Sequence, residues 1–304
     1  MSRPDIRQLR VLAGEAKDLG LHYAMRALPT ETCSDLGARL GLLIGRRGHP
    51  VAEARSRAVL AQLRPELADP AALEAAMTRL WQNVGRSYAE YSVVRRLLAE
   101  GRVTPSDPAR LPAAGADPRP LILCFLHLGN WEVLGQHMVT LWPGRAFAAV
   151  VMPPANRAHA LIARRRRRHL PLDLIEMDRH VWRQATEQLR RPGGVLWLAA
   201  DEAHAGRVFA PFLGRTPVAH GNLGKMVRLA ATTGARILPI YAERLPGVRF
   251  VVHALAEIEV AADRRDTAAI LDQVVQIDAL LDPIVRRLAE QWYMAIEFGT
   301  EFSL

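Results

Sequence analysis

Cysteine and long apolar runs are both scarce in this 304-residue chain. Cys33 and Cys124 are the only cysteines, too few for a disulfide framework. Neither lies in a CxxC or a Cys/His cluster that would point to zinc, so no metal site is expected and a reducing compartment is. No apolar stretch approaches the roughly 20 residues that span a bilayer. The amino terminus lacks the basic, apolar, small-residue order of a secretory signal, and the expectation is a protein neither integral nor exported by that route. Several catalytic signatures are missing as well. There is no G-x-S-x-G elbow, no H-E-x-x-H, and no G-x-G-x-x-G after a strand, which leaves a serine hydrolase of that fold, a zincin and a Rossmann dehydrogenase without support. His220-Gly221-Asn222-Leu223-Gly224-Lys225 opens a helix whose amides can receive an anion, yet it is not a P-loop, because the first glycine and the terminal Ser/Thr are absent.

What is present describes a globular protein, with 50% of residues hydrophobic and 23% charged. The length allows a large core, as one big domain or a domain with an appendage. A net charge of +9 favours an anionic partner: a membrane surface, an acidic carrier protein or nucleic acid. Residues 1–104 read as entirely helical, with helices over 6–28, 33–44, 51–63 and 71–98 separated by Pro29, Gly48-His49-Pro50 and a Pro-rich segment at 65–70. The first of these mixes apolar residues with Arg3, Arg7, Arg10, Lys17 and Arg26; such a helix either lies in a bilayer interface or packs on its own domain. Asn83, Tyr88, Glu90 and Tyr91 give the last an unusually polar face, which suits solvent or contact with the next domain.

After a Pro-, Ala-, Gly- and Asp-rich loop at 105–120, the pattern changes. Short apolar strands over 121–126, 146–152, 172–177, 195–200, 208–213, 237–243 and 249–255 alternate with helices over 131–141, 157–169, 181–190, 223–233 and 268–296. This alternation predicts an α/β fold with a mostly parallel central sheet covered by helices on both faces, preceded by the helical region. The organisation expected is 1–104 helical and 105–304 α/β.

Phe125-Leu126-His127-Leu128-Gly129-Asn130-Trp131-Glu132 sets a histidine at the end of an apolar strand and a carboxylate at the start of a helix. Gly129 permits a sharp turn and Asn130 is a good N-cap. Ligands bind α/β proteins at the carboxyl ends of sheet strands. The turn is expected to fold Glu132 back beside His127, where a carboxylate would fix the tautomer of an imidazole acting as general base. The same spacing also suits a half-buried histidine and an unrelated Glu favoured by the helix dipole.

Three later features converge on this motif. Arg164 to Arg168 form a helical run after Pro153-Pro154-Ala155-Asn156, and five consecutive residues point all round a helix, so the run is a solvated basic face or a clamp for phosphate groups. Asp201-Glu202 ends an apolar strand, where an acidic pair either orients a substrate or an arginine or caps a turn. Arg215 lies in a Gly-Arg-Thr loop that ends the 208–213 strand. Cys124, with apolar neighbours on both sides, reads as a core thiol rather than a nucleophile.

Between Leu121 and Arg244 the pattern resembles the bacterial lysophospholipid acyltransferase-like group that adds secondary acyl chains to lipid A precursors, the lauroyl and myristoyl acyltransferases. His127 to Glu132 matches that family's H-x-x-x-x-E block with its Gly-Asn-Trp interior, and Pro153 to Asn156 with Arg165 and Arg167 its Pro-x-x-Asn segment and downstream Arg. Asp201 matches the Asp of its Asp-Gln strand end, Phe209-Ala210-Pro211-Phe212-Leu213-Gly214 its Phe-x-Pro-Phe-Phe-Gly block, and Gly234-Ala235 with Pro239 its Thr-Gly-Ala and following Pro. The chain departs from the family in having Glu202 where Gln is usual, no spanning segment ahead of the catalytic part, and Gln291-Trp292-Tyr293-Met294-Ala295-Ile296-Glu297 where a basic cluster usually comes after the Trp. These departures bear on the acceptor more than on the chemistry.

The resemblance implies direct acyl transfer from a thioester of acyl carrier protein or coenzyme A, used as co-substrate with no resident cofactor, to a hydroxyl of a lipid or glycolipid such as a lipid A precursor. His127 would be the base and Glu132 its partner, with Asn130, Arg165, Arg167, Asp201 and Arg215 as substrate-binding candidates. The setting implied is peripheral, on the cytoplasmic face of the inner membrane. An acyltransferase for a different acceptor, another glycolipid or a polyene head group, is one other reading; thioester hydrolysis by the same base and a non-catalytic binder of membrane or nucleic acid are the rest. The last has no aromatic interleaving in the basic run to support it, so no nucleic acid is expected.

Overall fold

The computed structural model describes residues 6–152, 156–204, 207–261, 263 and 265–297, with side chains from residue 14 onward. Arg3 and Pro153 to Ala155 lie outside the described residues, as do the side chains of Arg7 and Arg10.

The first third is helical: α1 (Ile6–Ala27), α2 (Thr30–Leu40), α3 (Pro50–Leu63), α4 (Pro70–Glu90) and α5 (Val94–Ala99). Proline stands at the first position of α3 and of α4, where its missing N–H is no loss, and the Asp69 side chain caps α4 by accepting from the Ala72 amide. The helix expected over 71–98 is interrupted at Tyr91 to Val93, and α2 runs on through a π-helical turn at Gly41–Arg46. Gly37 and Gly41 of that run meet Gly85 of α4 backbone to backbone. A Cβ on Gly85 would stand 2.1 Å from the Gly37 carbonyl oxygen, so only glycine permits this approach.

Next in the chain come β1 (Val103–Pro105), α6 (Arg110–Ala116), β2 (Leu121–Phe125), α7 (Trp131–Leu141), β3 (Ala146–Val151), α8 (Arg157–Arg167), β4 (Leu172–Glu176), α9 (Val181–Arg190), β5 (Gly194–Ala199), β6 (Ala203–His204), β7 (Arg207–Val208), α10 (Gly221–Thr233), β8 (Arg236–Leu245), β9 (Arg249–Ala254), β10 (Ile258–Glu259) and α11 (Thr267–Arg287). The main sheet has the order β1-β9-β8-β2-β5-β3-β4, with β10 on the same edge of β8 as β9. Strands β8, β2, β5, β3 and β4 are mutually parallel, and β9 and β10 run antiparallel to β8. The fold is therefore α/β with an open, mostly parallel sheet after a helical region.

Alternation along β2 divides the core. Leu121, Leu123 and Phe125 pack with Val133, Leu134 and Met138 of α7, whereas Ile122 and Cys124 join Leu223, Met226 and Val227 of α10 and Ile270, Val274 and Ile277 of α11. Both faces are buried, which is why the strand reads as an unbroken apolar run.

Two expected elements differ. Residues 208–213 do not form a strand of the main sheet: β7 pairs with β6 in a separate two-stranded sheet, after which Pro211 supplies no amide and Leu213 turns to φ 56°, so no ladder can continue. The last helix stops at Arg287 rather than running to 296, and two 3₁₀ turns, Ala289–Gln291 and Tyr293–Ile296, carry Trp292 inward to complete burial. Among the described residues, no helix is long and apolar enough to cross a membrane.

Candidate active site

The parallel register of β2 and β5 sets Phe125 opposite Ala199, and two residues on, at the carboxyl ends of both strands, His127 meets Asp201. Asp201 is completely buried and accepts from the His127 backbone amide (Oδ2, 2.8 Å), from the Trp292 indole Nε1–H (Oδ2, 2.8 Å) and from the His127 ring, whose Nδ1 lies 2.8 Å from Oδ1. A carboxylate is an acceptor only, so this contact requires the proton on Nδ1 and leaves the Nε2 lone pair to face the site. Phe125 and Trp131 flank the ring edge-to-face, each 5.1 Å from its centroid, and fix its plane. The His127 side chain remains 18% exposed.

The turn after His127 is held from several sides. Gly129 has φ 59°, and a Cβ there would fall 2.5 Å from the Ala242 carbonyl oxygen. Its amide donates to the Gln291 carbonyl and its carbonyl accepts from Ser87 Oγ (2.8 Å), while the Tyr293 amide donates to the His127 carbonyl. Asn130 caps α7, its Oδ1 accepting from the amides of Glu132 and Val133. Its Nδ2 donates to Glu90 Oε2 at 3.0 Å. Glu90 is fully buried, accepting also from Ser34 Oγ (2.6 Å) and, on both oxygens, from Arg244 (2.5 and 2.7 Å), whose guanidinium lies over the Phe250 ring. One carboxylate thus ties α2, α4, β8 and the turn after His127 together.

Glu132, in the first turn of α7 and nearly buried, pairs with Arg167 at the end of α8. The structure therefore gives the place expected for Glu132, on the imidazole, to Asp201. Burial disfavours charge on Arg167, but the Glu132 carboxylate and the adjacent Tyr91 oxygen outweigh it and hold the guanidinium pKa above its ordinary value. Burial, with Glu132 beside it, pushes the Tyr91 hydroxyl up.

The other residues singled out in the sequence take varied places. Arg165 is exposed and donates to the Tyr23 hydroxyl (2.5 Å). Arg215 donates to the carbonyls of Phe212, Val208 and Pro211 at 2.6 to 2.8 Å and so holds its own loop. Asn156 caps α8 and reaches Asp18 of α1. Glu202 stands against the start of α10, its carboxyl pushed up to about 7 by burial, with Asp201 adding to the effect. Cys124 is wholly buried and burial pushes its thiol up, as expected of a core position.

Sequence reasoning gave no site role to Ser87 or Arg244, named Gln291 and Trp292 only within the C-terminal segment that departs from the family, and named Glu90 as part of a polar helix face. That face meets the C-terminal segment: Asn83 Nδ2 donates to the Glu290 carbonyl and the Tyr88 and Tyr293 hydroxyls share a 2.8 Å hydrogen bond. The signal available was the polar stripe itself, excessive for a helix that faces only water.

Around the turn, the amides of His127, Leu128 and Gly129 are used by Asp201, the Leu126 carbonyl and the Gln291 carbonyl. Among the described residues, those of Asn130 and Trp131, at the positive end of α7, are not spent in this way. A base with an oriented lone pair, beside amide donors at a helix amino end, can deprotonate a hydroxyl and stabilise the oxyanion formed when that oxygen attacks a carbonyl. The family model for the bacterial lipid A biosynthesis acyltransferases matches residues 17–295. No curated protein matches the chain.

Proposed function

The chain belongs to the bacterial lipid A biosynthesis acyltransferases, and from that premise we propose that it transfers an acyl chain from a thioester of acyl carrier protein or coenzyme A to a hydroxyl of a lipid or glycolipid such as a lipid A precursor. The observation that carries this reading is the His127–Asp201 couple at the ends of two adjacent parallel strands. Among the described residues no serine or cysteine hydrogen-bonds to His127, which favours direct attack by the acceptor over a covalent acyl-enzyme.

In the proposed reaction, Nε2 of His127 takes the proton from the acceptor hydroxyl as its oxygen bonds to the thioester carbon. Asp201 keeps Nδ1 protonated and offsets the charge of the imidazolium. The oxyanion is received by the Asn130 and Trp131 amides. It collapses with loss of the C–S bond, and the imidazolium returns its proton to the departing thiolate, giving ester and free thiol. Arg167, held by Glu132, and Asn130, held by Glu90, shape the substrate side. A basic protein suits both an acidic carrier protein and anionic lipid, and we place the reaction at the cytoplasmic face of the inner membrane with the enzyme peripheral to it.

Product analysis tests the reading. Acyl carrier protein and coenzyme A thioesters are incubated with the enzyme, with and without a total lipid extract, and products are identified by mass. Thiol release that depends on the extract and yields an acylated lipid is expected; release of free fatty acid at the same rate without it would instead mean hydrolysis.

A further inference from the structure

Helix α2 and its continuation to Arg47 bury a row of small residues and leave several large apolar ones exposed. The inner face is made of small residues, Cys33, Gly37, Ala38 and Gly41, buried against α4. Leu40 and Leu42 pack against the core, but three large apolar residues point outward: Leu36 is 37% exposed, Leu43 55% and Ile44 64%, and Val51, at the start of α3, is 57% exposed. Leu43 and Ile44 lie on the π-helical turn Gly41–Arg46, between the exposed Arg39 and Arg47. A helix that met only water on this side would carry polar residues there.

The charges around these residues are basic. Arg39 and Arg47 are exposed and, among the described residues, have no ion-pair partner. Neighbouring carboxylates are already engaged: Glu53 and Glu74 with Arg46 and Arg57, and Asp35 with Arg86. The whole chain carries +9. Apolar side chains framed by unpaired cations match the boundary between acyl chains and anionic headgroups.

We infer that the face bearing Leu36, Leu43, Ile44 and Val51, with Arg39 and Arg47, docks on the surface of a lipid bilayer that contains anionic phospholipid. The inference rests on the proposed reading of a lipid acceptor, and it supplies the means by which the site would reach one. The same helix carries Ser34, whose hydroxyl donates to Glu90 beside the catalytic turn. Leu43 lies nine residues further along, roughly 14 Å at the rise of a helix. Docking through this helix therefore holds the site's supporting network close to the headgroup layer.

Flotation of the full chain with vesicles tests this. Wild type is expected to float with vesicles of phosphatidylglycerol and phosphatidylethanolamine and weakly with phosphatidylcholine alone. Leu43→Ser with Ile44→Ser should lower the bound fraction at least tenfold, and Arg39→Glu with Arg47→Glu should abolish the preference for anionic lipid. Val275→Ser with Leu280→Ser, which changes exposed apolar residues on α11, should float as wild type does. Thermal melts of all variants should match wild type, because the altered side chains are exposed. Thiol release in detergent with dispersed lipid acceptor is measured in parallel. Variants that lose flotation and keep turnover in detergent support the docking face. A wild type that floats yet transfers nothing in detergent counts against the proposed reaction and leaves the docking face standing. Wild type that does not float, or Leu43→Ser with Ile44→Ser floating unchanged, would overturn the inference. So would a wild-type dimer that these substitutions convert to monomer with flotation unaltered, since the face would then join two copies of the chain.

Discussion

Replacing Asp201 by Asn changes one atom and should invert the tautomer of the base. Oδ2 of Asp201 receives two donors, the His127 amide and the Trp292 indole N–H. An amide oxygen must stay there, because an NH₂ group would confront both. The Asn NH₂ then occupies the place of Oδ1 and points at Nδ1, 2.8 Å away. Two donors cannot face each other, so Nδ1 gives up its proton and Nε2 carries it, leaving no lone pair toward the acceptor hydroxyl. In a triad where the same exchange imposes the wrong tautomer, kcat falls about 10⁴-fold, and a similar loss, about 5 kcal/mol in activation free energy, is expected here. The fold should lose only about 1–3 kcal/mol, the range for weakening charge-assisted hydrogen bonds at a buried group. The assay is thiol release from the acyl thioester with saturating acceptor, alongside a chemical melt to confirm folding. Nitrogen shifts of the His127 ring should report Nδ1–H in wild type and Nε2–H in the variant. Turnover within tenfold of wild type would refute the reasoning. So would a Glu132→Gln variant that loses as much while Asp201→Asn stays active, for then Glu132 and not Asp201 would govern the imidazole.

Three further expectations concern the frame of the site. Glu202→Gln should alter the dependence of stability on pH: the folded carboxyl is raised to about 7 from an ordinary 4.5, so the wild type loses stability as pH rises from about 4.5 through 7. The variant should be the more stable by about 1–2 kcal/mol at pH 8, allowing for partial solvation, and equal at pH 4; a melting-temperature gap that is flat with pH would contradict this. Glu90→Gln removes the carboxylate from a buried pair with Arg244, at a cost of about 3–5 kcal/mol, and a urea melt showing less than 1 kcal/mol would contradict the placement of that network. Gly129→Ala meets both a left-handed φ and a backbone oxygen 2.5 Å from the new Cβ, and should destabilise by about 2 kcal/mol or more while lowering kcat; an active variant with an unchanged melt would show that the turn has room to give.

The α/β alternation, the apolar strands and the capped turn at Asn130 were legible because each stems from local periodicity or a single capping residue. Asp201 was legible as an acidic residue at a strand end, but its partner was not. The pairing of His127 with Asp201 depends on β2 and β5 being neighbours, and strand order is set by crossovers that leave no local signature. Glu132 looked closer in sequence, yet the start of α7 directs it toward α8 and Arg167. Within the arginine run, helical geometry required some residues to face inward, and only packing of α8 could select Arg167. Trp292 was hidden for a related reason. Its segment reads as helix, and the buried indole hydrogen bond to Asp201 overrides that local preference. The row of small residues that α2 buries includes the glycines that seat it on α4, a role visible in sequence only once their partner Gly85 is known.

The most direct test of the central claim is the rate of thiol release from acyl carrier protein and coenzyme A thioesters in the presence of lipid acceptor, for wild type and folded His127→Ala. The account expects wild type to form an acylated lipid and the variant to lose that activity by orders of magnitude. Equal turnover by the two proteins would contradict it, and would mean that His127, for all its buried partners, is not the base.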